Sequence, residues 1–242
     1  MIGRIGLLVF ISVMSVSSAH SQRDQLMPPP PVSAADRLWH CPDVTVRVRA
    51  ISYDAAKRVC AAAKAPLRIL GECGLSPKNV ITVHVTDTVF TRFGVKKRGE
   101  FLVGTSLIRV ISYDLHQRIL PSRFHNIDVP AAALYSSVVA HEIAHAIFSD
   151  NSGHLDLPNT AHEYTAYVVQ MKSFSAGTRA RILARDAPIY KSNLFMFSHF
   201  LMLADPDRFG VNAYIHFEHP ENGCAFIAKV LRSIVHFPPP SD

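Results

Sequence analysis

The 242-residue chain is predicted to be an α+β protein, with a mixed sheet in its N-terminal half and a mostly helical C-terminal half. Three observations point there. Apolar and polar residues alternate in several stretches of the first half, as half-buried strands require. Residues 131–148 are rich in alanine and aliphatic side chains without a breaker, which marks a buried helix. Helical patterns then recur to the C-terminus, and strands early with helices late is the α+β order. With 48% hydrophobic and 18% charged residues, the composition excludes disordered and collagen-like classes.

The elements follow in chain order. Arg4, the apolar run 5–16 and the small residues Ser17, Ser18 and Ala19 form the three zones of an export signal. The expected division is a signal peptide over 1–21, a proline-rich leader over 22–37 and one domain over 38–237. The apolar run is shorter than the ~20 residues that span a bilayer, and no later stretch reads as a membrane segment, so no stable membrane insertion is expected after signal removal. The mature chain is expected in the periplasm or outside the cell.

Val44, Val46 and Val48 alternate with Thr45, Arg47 and Arg49 as a strand would. Ser52 is placed to cap a helix through Ala55, Val59 and Ala63, which Pro66 is expected to interrupt. Ile81, Val83 and Val85 mark a second strand, and residues 101–112 one or two more, broken near Gly104. Pro130 suits the first turn of the long apolar helix. After a loop containing Asn151, Gly153 and Pro158, helices are expected over 160–174, 192–203 and 222–235.

Cys41, Cys60, Cys73 and Cys224 contain no C-x-x-C pair, which argues against a cysteine zinc site. An even count in an exported chain predicts two disulfides, with three pairings open. The net charge of +6 is scattered. Its one dense run, Lys96-Lys97-Arg98, reads as a solvated loop, and without a basic face no nucleic-acid partner is expected.

The chemistry lies in His141-Glu142-Ile143-Ala144-His145. Histidines four apart on a helix leave the same face one turn apart, so both rings can bind one Zn²⁺ at ~2.0–2.1 Å. Glu142, beside the first ligand, is placed to take a proton from the attacking water and deliver it to the leaving group. Every other residue from 138 to 147 is uncharged, and burying three polar side chains there without a partner would be costly. One Zn²⁺ per chain is the expected cofactor.

This motif resembles the zincin superfamily of metallopeptidases. The resemblance implies a zincin-like fold, with the motif helix as the floor of a cleft under a mixed sheet whose edge strand, expected within 101–112, pairs with an extended peptide or protein substrate. It also implies a third ligand. Glu163, 18 residues after His145, fits the gluzincin arrangement, although Thr160-Ala161-His162-Glu163 also matches a helix capping box. His154, Asp156 and His162 are the competing donors. Phe148 and Asn151 stand where metzincins need glycine and a third histidine, which excludes that subclass. Thermolysin-like members carry an aspartate four residues after the ligand glutamate to orient a histidine. This chain has Tyr167 there, so another acceptor, such as a backbone carbonyl, must do that work.

Among downstream candidates for stabilising an oxyanion, Tyr190, His199, Tyr214 and His216, the choice is Tyr214. The expected activity is zinc-dependent hydrolysis of peptide bonds. The alternative is a non-catalytic, exported zinc-binding domain used for partner recognition.

Overall fold

Why residues 36–50 form a hairpin is plain from their burial: Val46, Val48 and Ala50 face the core while Arg47 and Arg49 face outward. The computed structural model describes residues 36–92, 95–119, 121–153, 155, 157–185 and 194–238. The signal peptide and all but the last two residues of the leader lie outside them.

The elements run in order as strand β1 (Arg37–His40), β2 (Val46–Ala50), helix α1 (Tyr53–Glu72), β3 (Ile81–Thr86), β4 (Phe90–Arg92), β5 (Val95–Lys97), β6 (Gly99–Phe101), β7 (Leu107–Ile111), α2 (Tyr113–Ile119), β8 (Arg123–Phe124) and β9 (Ile127–Asp128). Then come α3 (Ala131–Ser152), α4 (Asn159–Ser173), α5 (Ala176–Ala184), a 3-10 turn (Leu194–Phe197), α6 (His199–Ala204), α7 (Pro206–Glu218) and α8 (Gly223–Leu231). The fold is α+β, with a mixed N-terminal sheet and a mostly helical C-terminal half.

The main sheet has the order β1-β2-β3-β7-β6. Its central pairs are parallel, and both edge strands, β1 and β6, are antiparallel to their neighbours. β6 and β7 are joined by a turn in which Gly104 adopts φ 78°, the break expected there. β6 is thus the edge strand next to α3; it ends at Phe101, so the edge lies just before the 101–112 stretch in which it is expected, and β7 within that stretch is an inner strand.

Two expectations need correction. Pro66 does not interrupt α1, which is one helix through it. A helical proline costs about 3 kcal/mol or more, but Ala56, Val59, Ala63, Pro66 and Leu70 make one buried stripe at helical spacing, and that continuity offsets the loss. Secondly, α3 is by length and composition long and apolar enough to cross a membrane. Here it is the core helix: Val139, Ala140, Ile143, Ala144 and Ile147 are buried in the cluster that joins α1, the sheet and α4. Its N-cap is Pro130, one residue ahead of the first turn.

Ser52 caps α1, its hydroxyl accepting from Ala55 N–H at 3.2 Å. The sequence reading leaves α2, α5 and α7 out. For α7 the start signal is present, since Asp205 accepts from Arg208 N–H at 3.1 Å and Pro206 occupies the first turn. Cysteine pairing is Cys41–Cys60 and Cys73–Cys224, which resolves the three connectivities. Two disulfides suit an oxidising, exported environment.

Candidate metal centre

On α3, His141 and His145 turn the same way. Their ring centroids are 4.7 Å apart and their Nε2 atoms 3.0 Å apart. Apposed imidazole nitrogens need a proton or a cation between them. The third corner is Glu163 of α4, with Oε2 3.3 Å from His141 Nε2 and Oε1 3.7 Å from His145 Nε2. The capping box does not form. The N-cap of α4 is Pro158, which places Thr160 inside the helix, and Glu163 reaches across to α3.

Charge at the centre follows from burial. Burial drives the pKa of His145 down to about 3, which leaves a neutral ring with a free lone pair. Burial opposes protonation of His141 too, but the hydrogen-bonded Glu163 carboxylate and Glu142 raise its pKa overall. Burial likewise opposes ionisation of Glu163, yet the two histidines bring its pKa to about 2. Glu142 is pushed up to about 7 by burial, eased by His141.

His141, His145 and Glu163 could hold a metal ion, since one ligand atom from each lies within 4.8 Å of the others. Two imidazoles and a carboxylate are a common catalytic donor set, and tetrahedral bonds of ~2.0–2.1 Å put donor atoms about 3.3 Å apart. The imidazole nitrogens are 3.0 Å apart, near that value, and each meets a different oxygen of the Glu163 carboxylate, Oε2 at 3.3 Å and Oε1 at 3.7 Å.

Above the centre runs β6. A Cβ on Gly99 would stand 2.9 Å from Glu142 Cγ and 3.0 Å from its Oε1, so the strand backbone lies directly against the glutamate. Phe101 stacks on His145 at 6.5 Å between centroids and 11° between planes. Lys97, in the basic run read as a solvated loop, ends β5 half-buried, and its charge acts on Glu142, His145 and Glu163.

Residues 46–239 match the profile of DUF6639, a family of unknown function. The chain belongs to DUF6639. No curated protein and no solved structure matches it. Every residue of the centre falls within the span matched to DUF6639.

The other candidates lie elsewhere. Tyr214 is not brought to the centre: its ring is buried with Val129, Met171 and Phe174, under Arg179 at 5.6 Å, and its hydroxyl interacts with Glu218 and Arg179. His216 bonds the Tyr164 hydroxyl at 2.8 Å in the core, and His199 begins α6. The ring of His162 lies 6.3 Å from that of His145, outside the donor triangle. His154, Asp156 and Tyr190 fall outside the described residues.

Tyr167, which the sequence offers only as a departure from the resemblance, also stands at the centre. One turn after Glu163, it stands against His141 with ring centroids 4.7 Å apart. Burial, then the charges of Glu163, Asp207 and Glu142, raise its pKa well above 10, so the hydroxyl remains a donor. Its spacing of four from Glu163 was the available signal, and it sits where the resemblance expects an aspartate.

Proposed function

We propose that this protein is an exported zinc metallopeptidase of gluzincin type, periplasmic or secreted, with one Zn²⁺ held by His141, His145 and Glu163. The observation that carries the reading is the donor triangle with Glu142 beside it. A structural zinc site closes its fourth position with another protein ligand and has no use for a buried carboxylate next to it.

A bound Zn²⁺ would supply Lewis acidity toward the scissile carbonyl and lower the pKa of water. Glu142, one residue from His141 and lifted toward neutrality by burial, accepts the proton of the attacking water and returns it to the leaving nitrogen. β6 offers an open backbone edge to an extended peptide, which lies over Glu142 and His145 as Gly99 and Phe101 do. Tyr167 replaces Tyr214 as the donor we assign to the developing oxyanion, and Lys97 adds positive charge there.

Glu142→Gln decides the point, with fluorescein-labelled casein and a mixture of quenched fluorescent peptides as probes. The variant should bind zinc as the parent does and lose at least ~100-fold in hydrolysis. Hydrolysis at the parental rate by zinc-loaded Glu142→Gln would contradict the role of Glu142, and none by the zinc-loaded parent would instead support the non-catalytic zinc domain.

A further inference from the structure

Helices α3 and α4 pack with one continuous set of contacts behind the centre. Glu163, Tyr167 and Gln170 share a face of α4 at helical spacing. Glu163 meets His141 and His145, Tyr167 meets the His141 ring, and Gln170 meets Ser137, one turn before His141. Gln170 and Ser137 are buried.

The direction of each hydrogen bond here is fixed by its neighbour. Ser137 Oγ donates its only proton to Leu134 C=O at 2.8 Å. Toward Gln170 it therefore presents lone pairs, and Gln170 Nε2 donates to it at 3.3 Å. That commits the amide nitrogen to Ser137 and leaves Oε1 for the other side. The Nδ1 of His141 is closed to solvent, so no bulk water serves it, and it has no hydrogen-bond partner among the described residues. The face of α4 that carries Tyr167 against the His141 ring carries Gln170 against Ser137, one turn before His141, which makes Gln170 the neutral polar side chain of that face nearest this nitrogen along the helix.

We propose that Gln170, oriented by Ser137, is the positioning residue that fixes the tautomer of His141. When His141 Nε2 binds a metal its proton lies on Nδ1, and Gln170 Oε1 is the acceptor that takes it, which holds the Nε2 lone pair toward His145 and Glu163. The proposal rests on the metal-centre reading and supplies the acceptor that Tyr167 does not. A side-chain amide, not a backbone carbonyl, performs the task. Partners of this kind alter metal affinity by about 10–100-fold.

The test is zinc affinity at pH 7.5, by competition with a chelating dye, for the full chain and for Gln170→Met, Gln170→Glu, Ser137→Ala and His145→Ala. Thermal unfolding of the metal-free forms is followed in parallel. Gln170→Met keeps the volume but removes the acceptor, and should weaken zinc binding about 10–100-fold, while Gln170→Glu retains or exceeds parental affinity. A loss under threefold in folded Gln170→Met overturns the proposal. If that variant does not fold, Ser137→Ala decides, with a loss of at least about threefold expected and parental affinity overturning it. His145→Ala separates the readings. If it binds zinc like the parent, the metal centre itself is wrong; if it alone loses zinc, only the role of Gln170 fails.

Discussion

Gly210 of α7 lies so close to Tyr167 of α4 that an added Cβ would stand 2.4 Å from the ring's Cδ1. The ring cannot simply retreat, because His141 stands 4.7 Å from it on one side and Phe209 6.0 Å on another. Glycine inside a helix costs roughly 1 kcal/mol relative to alanine, so Gly210→Ala would be stabilising at an open position. Here it should destabilise by about 1–3 kcal/mol through overpacking. Urea unfolding of the metal-free protein reads the sign, and a gain in stability would contradict the contact.

Gly99 predicts a separable effect. A methyl there meets Glu142, not the three donor atoms. Gly99→Ala should keep zinc affinity near parental and cut casein hydrolysis by about 10–100-fold, the scale of a misplacement near 1 Å. Zinc titration and initial rates on the same preparation check it; equal losses in both would sink the claim that Gly99 bears on the glutamate alone.

The disulfides should differ in worth. Cys73–Cys224 closes 151 residues and ties the end of α1 to α8, whereas Cys41–Cys60 closes 19. On chain entropy their removal costs about 5 and about 3 kcal/mol. Denaturant unfolding of the two paired Cys→Ser variants should rank them in that order.

How much of this was legible in the sequence depends on how local each cause is. The helix spacing of His141 and His145, the cap at Ser52 and the alternation in β2 and β3 are local, and each follows from a few neighbouring residues. Glu163 was legible as a candidate, but its rival role as a capping partner falls only when the helix start at Asn159 is seen. Pro66 misled because burial of a whole stripe outweighs one missing hydrogen bond. Tyr167 and Gln170 gain meaning only from which face of α4 meets α3, and Lys97 only from where β5 ends relative to Glu142. Tertiary pairing of that kind leaves no mark at short range. Tyr214 shows the converse, a plausible residue type on a helix whose packing sends it elsewhere.

His116 predicts acid sensitivity. It is 1% exposed between Tyr113 and Tyr135, and neither ring nitrogen meets a hydrogen-bond partner among the described residues. Burial, then the charge of Arg98, lowers its pKa from 6.5 to about 4. The unfolded chain therefore takes up a proton as pH falls through 6.5, and the folded chain does not until about 4. Stability is lost across that window, by roughly 3 kcal/mol for this one group. Urea unfolding from pH 7.5 to 4 should show His116→Phe losing less than the parent by about that amount; parallel curves would refute it.

Zinc binding itself bears most directly on the centre formed by two imidazoles of α3 and a carboxylate of α4. The measurement is stoichiometry and affinity for zinc in the purified chain, in His145→Ala and in Glu163→Ala. One zinc per chain is expected in the parent, with a loss of at least about 100-fold in affinity when either donor is removed. A parent that binds no zinc, or a Glu163→Ala variant that binds it as tightly as the parent, would contradict it.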